Sequence, residues 1–242
     1  SNAVSTTIGE FSVKSGTLMV KDSASFTRLG ALSVAEGAKF VAEAAGAACY
    51  ATNVLLGSNA ELTLGKTWRF GKDDKQGLAT RVQAGAGYAY GNSTALPFEK
   101  HFYAGGANSM RGWQARSLGP GLAAKDTTFV IPNQTGDMKL EANIEYRFPM
   151  FWMFSGAVFV DAGNVWNLKR SDRPDEQQDL AHINGTSLWT GMAMNWGLGL
   201  RLDLDFLILR VDWGMRLHDP ARQRGSCWLN PRQWLERNGY AL

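Results

Sequence analysis

Residues 138–148 constrain the fold of this chain more than any other stretch. Leu140, Ala142, Ile144, Tyr146 and Phe148 fall on even positions, and Lys139, Glu141, Asn143, Glu145 and Arg147 on odd ones. Side chains that alternate with period two lie on opposite faces of a β-strand. One wholly apolar face over about eleven residues suits a strand of a membrane barrel. Strands of soluble sandwiches usually stop after about five or six residues.

Further stretches repeat the pattern. In 60–70, Leu62, Leu64, Trp68 and Phe70 oppose Glu61, Thr63 and Arg69. In 78–91, Leu78, Val82, Ala84, Ala86, Tyr88 and Tyr90 oppose Arg81, Gln83 and glycines. Stretch 153–167 places Asp161 among apolar neighbours. Across 196–218, apolar residues keep even numbers up to Leu204 and odd numbers from Leu207 onward. A change of phase at Asp205-Phe206 predicts a tight reversal between two long strands. Short turns at 148–151 and 203–206 alternate with long polar connections at 92–137, 168–189 and 218–238, the habit of outer-membrane barrels. Tyr88, Tyr90, Trp152, Trp166, Trp196 and Trp213 fall near strand ends and read as interfacial girdles.

Composition agrees with a membrane barrel and excludes other classes. Mean hydropathy is −0.22, and no run of about 18 apolar residues exists to form a helical span. With 25 Lys and Arg against 22 Asp and Glu, the net charge of +3 gives no reason to expect a nucleic-acid partner. His101, His182 and His218 lack ligand spacing, so no metal is expected. Ser109 has no flanking glycines at the spacing of a nucleophile elbow, and Gly197 to Gly199 lie within a strand pattern, so no dinucleotide or other cofactor is expected. The chain reads as no enzyme. Cys49 and Cys227 read as two free or buried thiols. Ser1-Asn2-Ala3 has the look of a tag remnant, so the lack of a signal peptide carries no information on compartment.

Two segments differ in character. All nine Trp lie at or after Trp68 and all seven Pro at or after Pro97, while the first part is rich in Ala, Ser, Gly and Val. The expected division is a β-repeat segment over 4–59 and a partial barrel over 60–242. Residues 15–28 align on 29–42, with Gly16 on Gly30, Leu18 on Leu32, Val20 on Val34 and Phe26 on Phe40. Such units form either hairpins or rungs of a β-solenoid; hairpins are the preferred expectation. Residues 41–51 read as a helical turn.

The connection 92–137 is too long for an idle loop in a compact β domain. Gly105 and Gly106 permit positive φ, and Pro120 sets a turn. Arg111-Gly112-Trp113 presents a cation and an indole from a tight bend. An arginine within a barrel needs an acid, and Glu145 and Asp161 on the polar strand faces are the candidates.

These residues resemble a known family, the bacterial surface-antigen barrels of the BamA/TamA-type assembly factors and two-partner-secretion translocators. Gly105-Gly106, Arg111-Gly112-Trp113 and Leu118-Gly119-Pro120 look like its Arg-Gly-aromatic loop motif. Glu145-Tyr146-Arg147-Phe148-Pro149 is similar to the strand that follows. Phe159-Val160-Asp161-Ala162-Gly163-Asn164-Val165-Trp166 looks like the next hallmark strand. Leu96-Pro97-Phe98-Glu99-Lys100 is similar to assembly factors of the Bacteroidetes type. The likeness covers roughly residues 60–242.

The resemblance implies an all-β, antiparallel meander in the bacterial outer membrane, with the loop folded inside and Arg111 paired with Asp161 and Glu145. It implies contact with outer-membrane lipid, client outer-membrane proteins as partners, and periplasmic assembly partners reached through upstream domains. A translocator pore and a structural or adhesin-like surface barrel are the alternatives. The family pattern has sixteen strands after periplasmic domains, whereas this sequence shows six or seven barrel-type strands and stops where the last strand should start. The expectation is therefore an open sheet or partial barrel, or an oligomer that covers its edges.

Overall fold

The period-two stretches become strands close to where the sequence places them. In the computed structural model the described residues are 6–13, 17–20, 26–34, 39–45, 51–56, 60–71, 75–89, 96–124, 134–169, 176–204, 207–222, 226–229 and 240–241. Five short strands come first: β1 (Thr6–Val13), β2 (Thr17–Val20), β3 (Phe26–Val34), β4 (Lys39–Ala45) and β5 (Ala51–Leu56). The longer ones follow: β6 (Ala60–Phe70), β7 (Gln76–Ala86), β8 (Met138–Pro149), β9 (Phe154–Trp166), β10 (Ala193–Asp203) and β11 (Ile208–His218), with a short β12 (Tyr240–Ala241). Each of β6 to β11 pairs antiparallel with the next. Asp203 pairs with Ile208, so the chain reverses between these strands as the phase change required. Residues 205–206 themselves lie outside the described set. Among the described residues the larger sheet runs from β12 to β2 without closing on itself, a partial barrel.

The early segment corrects two expectations. Its strands pair in parallel, β1 with β3 and β3 with β5 in one ladder, β2 with β4 and β4 with β6 in the other, so the units are solenoid rungs and not hairpins. The rung length is also not the 14-residue spacing of the sequence alignment. Thr17 stacks on Lys39 and Lys39 on Glu61; Leu18 stacks on Phe40 and Phe40 on Leu62. Stacked rungs place β3 between β1 and β5, and β4 between β2 and β6, where an isolated hairpin would give each strand one partner. The helical turn expected over 41–51 is instead strand β4 as far as Ala45, and residues 46–50 lie outside the described set. Strand β6 belongs to both parts, since it pairs in parallel with β4 and antiparallel with β7.

The sheet is inverted relative to a soluble protein. Ile144 is 51% exposed, and Val82, Val160, Leu198, Leu200, Val211 and Trp213 are exposed too. Glu141, Asn143, Glu145, Asp161 and Asn195, on the opposite face, are buried. An apolar outer face is stable only against hydrocarbon, as in a membrane barrel. The polar face is covered by residues 96–124 of the long connection. The core lies under that connection, where Ala104, Met110, Trp113 and Leu118 pack on Val165 and Ala193, with Phe102 alongside.

The connection between β9 and β10 carries two short helices, α1 (Glu176–Ala181) and α2 (Gly185–Thr190). Asn184 caps α2, its side chain accepting from the Ser187 amide while the Ser187 hydroxyl accepts from the Asn184 amide. Trp166 departs from the girdle expectation. It is fully buried, and its indole N–H donates to the Ser187 carbonyl beneath α2. Trp152 and Tyr88, beyond the strand ends, are exposed as a girdle requires, whereas the exposed Trp213 lies at the middle of β11 and not near its end; Tyr90 lies outside the described residues. Cys227 is a free, half-buried thiol, and Cys49 also lies outside the described residues.

Candidate functional site

The polar face carries a row of side chains held in register across five strands. Arg81 on β7 pairs with Asn143 on β8, Asn143 with Asp161 on β9, Asp161 with Asn195 on β10, and Asn195 with Arg216 on β11. Inward-pointing residues at the same height become neighbours, although their sequence numbers are far apart. The Asn143 amide donates to Asp161 Oδ1 at 2.9 Å and the Asn195 amide to Asp161 Oδ2 at 2.9 Å. Arg81 Nε donates to Asn143 Oδ1 at 3.0 Å. Asp161 thus presents a carboxylate already oriented by two amides.

Arg111 descends from the loop onto this row. Its Nε reaches Asp161 Oδ2 at 2.9 Å and its Nη2 reaches Asp161 Oδ1 at 2.7 Å, a two-pronged contact. Nη1 donates to Glu145 Oε2 at 2.6 Å. The Arg111 amide adds a bond to Asp161 Oδ2 at 3.3 Å. The guanidinium also lies over the Phe159 ring, 3.4 Å from its centroid. Burial works against the charge on Arg111, and the Asp161 and then the Glu145 carboxylates outweigh it, raising its pKa above the ordinary arginine value. Glu145 is shared with two strand cations, Arg147 Nε at 2.6 Å and Arg201.

The remaining motif residues shape the loop around this contact. Gly105 and Gly106 both have positive φ, at 104° and 98°. A Cβ on Gly105 would also run into the Gln114 carbonyl oxygen, so no other residue fits there. The Gly105 amide donates to the Ser109 hydroxyl at 3.0 Å, and that hydroxyl donates to the buried Glu141. Gly112 lies against Asn195, and its carbonyl accepts from Arg216 Nε at 2.8 Å. Trp113 is buried, with the Arg216 guanidinium 5.0 Å from its ring. Gly119, at φ 90° and joined to Pro120 by a cis peptide, packs against Asn164 and Val165. Gly163 makes room for Glu141, since a Cβ there would come 2.8 Å from the Glu141 side chain.

Gly105, Gly106, Arg111, Gly112, Trp113, Gly119, Glu145, Phe159, Asp161 and Gly163 therefore belong to one assembly, whereas Tyr146, Phe148 and Val160 lie on the outward face and Trp166 packs under α2 at the end of β9. Asn143, Asn195, Ser109, Glu141, Arg81, Arg201 and Arg216 also belong to the assembly. Inward parity was the one visible signal of the strand residues among them, and parity does not tell which inward residues share a height; Ser109, in the loop, carried no such signal. Among the described residues no group of His, Cys, Asp and Glu is placed to hold a metal ion.

Asn195→Ala is expected to destabilise the seat by about 1 kcal/mol, because buried Asp161 Oδ2 loses one hydrogen bond while it keeps those from Arg111. Limited proteolysis within 100–120 should accelerate accordingly; an unchanged cleavage rate would show that Asn195 does not help hold Asp161.

Against known proteins, the model of the Omp85 superfamily domain matches residues 22–230. The chain belongs to the Omp85 superfamily. It is similar to the outer membrane protein assembly factor BamA of Neisseria meningitidis serogroup B (strain ATCC BAA-335 / MC58), at 29% identity over 135 residues. That alignment covers 49% of this chain and 17% of the relative, so the chain spans under a fifth of that protein's length. Among solved structures it is similar to the crystal structure of BamA from Haemophilus ducreyi lacking POTRA domains 1-3. The TM-score is 0.49 with 21% identity, over 63% of this chain and 30% of the other. As an Omp85 barrel region the chain is part of a bacterial outer-membrane protein, and its exposed apolar strand face meets lipid.

Proposed function

We propose that this chain is part of an outer-membrane barrel that assembles other β-barrel proteins and inserts them into the outer membrane. The observation that carries the reading is the loop seated on the polar face by Arg111, with Asp161 and Glu145 beneath it. Membership of Omp85 and the similarity to a BamA assembly factor support it.

The work such a barrel does is physical, not catalytic. A weak seam between its first and last strands opens and offers an unpaired edge, and a client strand adds to that edge by backbone hydrogen bonding. A loop pinned across the inner face keeps the remaining strands in register while the seam yields. Clients are unfolded outer-membrane proteins, and periplasmic partners deliver them through other parts of the whole protein.

The test is Arg111→Ala in the intact protein in cells, reading the amount of folded outer-membrane proteins at matched levels of the variant. Assembly is expected to fall several-fold, as the removal of one partner of a buried ion pair destabilises by about 3–5 kcal/mol. Unchanged assembly would favour a different reading, a structural or adhesin-like surface barrel. The parallel rungs β1 to β5 are the feature that favours that alternative.

A further inference from the structure

A cavity of about 580 Å³ lies on the polar face, between loop residues 99–109 and a wall formed by β2, β4, β6, β7 and β8. Its floor is one register row. Thr17 faces Lys39, Lys39 faces Glu61, Glu61 faces Gly85, and Gly85 faces Lys139. Gly85 puts no side chain into that row, and the Phe102 ring takes the space, since a Cβ on Gly85 would come 2.6 Å from it. Glu61, Gly85 and Lys139 each stand one residue in from Ala60, Ala86 and Met138, the ends of β6, β7 and β8. The long connection 92–137 joins two of these ends, and the long connections of such barrels lie outside the cell. The cavity is therefore placed to take a ligand from the cell exterior.

The charged groups around the cavity are unevenly occupied. Lys39 Nζ donates to Glu61 Oε1 at 2.6 Å, and the Thr63 hydroxyl and Gln83 amide reach the same oxygen at 3.4 Å. Glu61 Oε2 accepts no hydrogen bond among the described residues. Arg81 uses Nε and Nη2 on Asn143 Oδ1 and on the Asn108 carbonyl, both neutral, and keeps Nη1 in hand. The Lys139 side chain is only 12% exposed, and its ammonium stands 3.4 Å from Glu141 Oε2, an oxygen that accepts no hydrogen bond. Buried charges are ordinarily hydrogen-bonded, and the cavity is where Lys139 meets an acceptor. Glu99 and Lys100 are exposed at the rim. The wall thus presents cationic donors and carboxylate acceptors together.

A bare anion in this cavity meets Glu61 and Glu99 as well as the cations, and a bare cation meets Arg81, Lys100 and Lys139. A ligand with phosphate and hydroxyl groups uses both sets, its phosphate on the cations and its hydroxyls on the carboxylates. Glu61 and Lys139 flank Gly85 two strand spacings apart, about 10 Å. That span suits one sugar ring with its phosphate, and the C–H surface of the ring would lie on Phe102 and the exposed Tyr103. We propose that this cavity binds a phosphorylated saccharide, with the phosphate at Lys139 and a ring hydroxyl at Glu61 Oε2. The source of that chemistry is either a soluble sugar phosphate or the headgroup of an outer-leaflet lipid. The site uses the rungs β2 and β4 as a wall and stands whether or not the barrel assembles clients.

Calorimetric titration of the intact protein in detergent micelles with glucosamine 1-phosphate tests this, with inorganic phosphate as the comparison. Resistance to proteolysis within 100–120 first establishes that each sample is folded. The sugar phosphate is expected to bind saturably and about tenfold more tightly than inorganic phosphate. Lys139→Gln should weaken both ligands about tenfold, the effect of one hydrogen bond to a charged group. Glu61→Gln should weaken the sugar phosphate and not inorganic phosphate, a split that a folding defect does not produce. Arg69→Gln, exposed near the far end of β6, should leave both within about twofold. Competition by dispersed lipid A would assign the site to a lipid headgroup, and its failure to compete would assign it to a soluble sugar phosphate. No saturable binding of glucosamine 1-phosphate up to about 10 mM, equal affinity for inorganic phosphate, or equal loss in all three variants would overturn the proposal.

Discussion

Asp161→Ala will release the loop from the sheet. Asp161 accepts from Arg111 Nε and Nη2, from the Arg111 amide, and from the side-chain amides of Asn143 and Asn195. Removing the carboxylate leaves the Arg111 guanidinium buried with Glu145 as its main counter-charge, since Asp212 stands further off at 3.8 Å. Glu145 is already shared with Arg147 and Arg201, so it cannot take over. Two buried amides lose their acceptor as well. Breaking a buried, hydrogen-bonded pair on one side costs about 3–5 kcal/mol, and a similar loss is expected in a denaturant titration of the protein folded into vesicles. Proteolytic cleavage between 100 and 120 should become fast at denaturant concentrations where the parent is resistant. Asp161→Asn should recover little of this, because it sets an amide donor against donors already in place. A change within about 0.5 kcal/mol, the range of an ordinary surface substitution, would mean that the seat does not depend on this carboxylate.

The second large effect is steric and leaves every charge in place. Gly214 on β11 lies directly under the loop backbone. A Cβ there would come 2.7 Å from the Arg111 carbonyl oxygen and 2.9 Å from the Gly112 nitrogen. Both are main-chain atoms and cannot swing aside as a long side chain would. Gly214 is also held in the ladder opposite Gly197 and Ala241, so the strand cannot retreat. Gly214→Ala must therefore lift the Arg111-Gly112 segment by a few tenths of an ångström or more, which lengthens the contacts of Arg111 with Asp161. Overpacking of this kind costs about 1–3 kcal/mol. Gly185→Ala is the control, because nothing lies within 4 Å of a Cβ at that position. Loop proteolysis should rise for the first variant and stay level for the second. Equal behaviour of the two would refute close packing of the loop on β11.

These two residues show how differently parts of the site could be read. Asp161 stood out in the sequence because a carboxylate interrupts an apolar run, and because its neighbours resemble a hallmark strand. Gly214 did not. A glycine in a strand signals close backbone approach only when the approaching segment is known, and that segment lies a hundred residues away. Asn143 and Asn195 share this difficulty. Each was an inward polar residue among many, and only the pairing of β8, β9 and β10 brings them to the height of Asp161. The rungs failed for a further reason. Alternation within a strand carries no information on partner or direction, so a local likeness between 15–28 and 29–42 suggested hairpins while the stacking repeat runs from Thr17 to Lys39 to Glu61.

By itself, the sequence determined where the long strands run, which of their faces is apolar, and that the apolar face belongs against lipid. It also singled out Arg111 and its two acids. Those properties follow from the two-residue period and the chemistry of each side chain, which are local. The tertiary structure alone decided the register of the strands, the parallel stacking of the early rungs, and the glycine clearances that admit the loop. These depend on which backbone hydrogen bonds form between distant segments, and a shift of a single residue would turn every inward side chain outward.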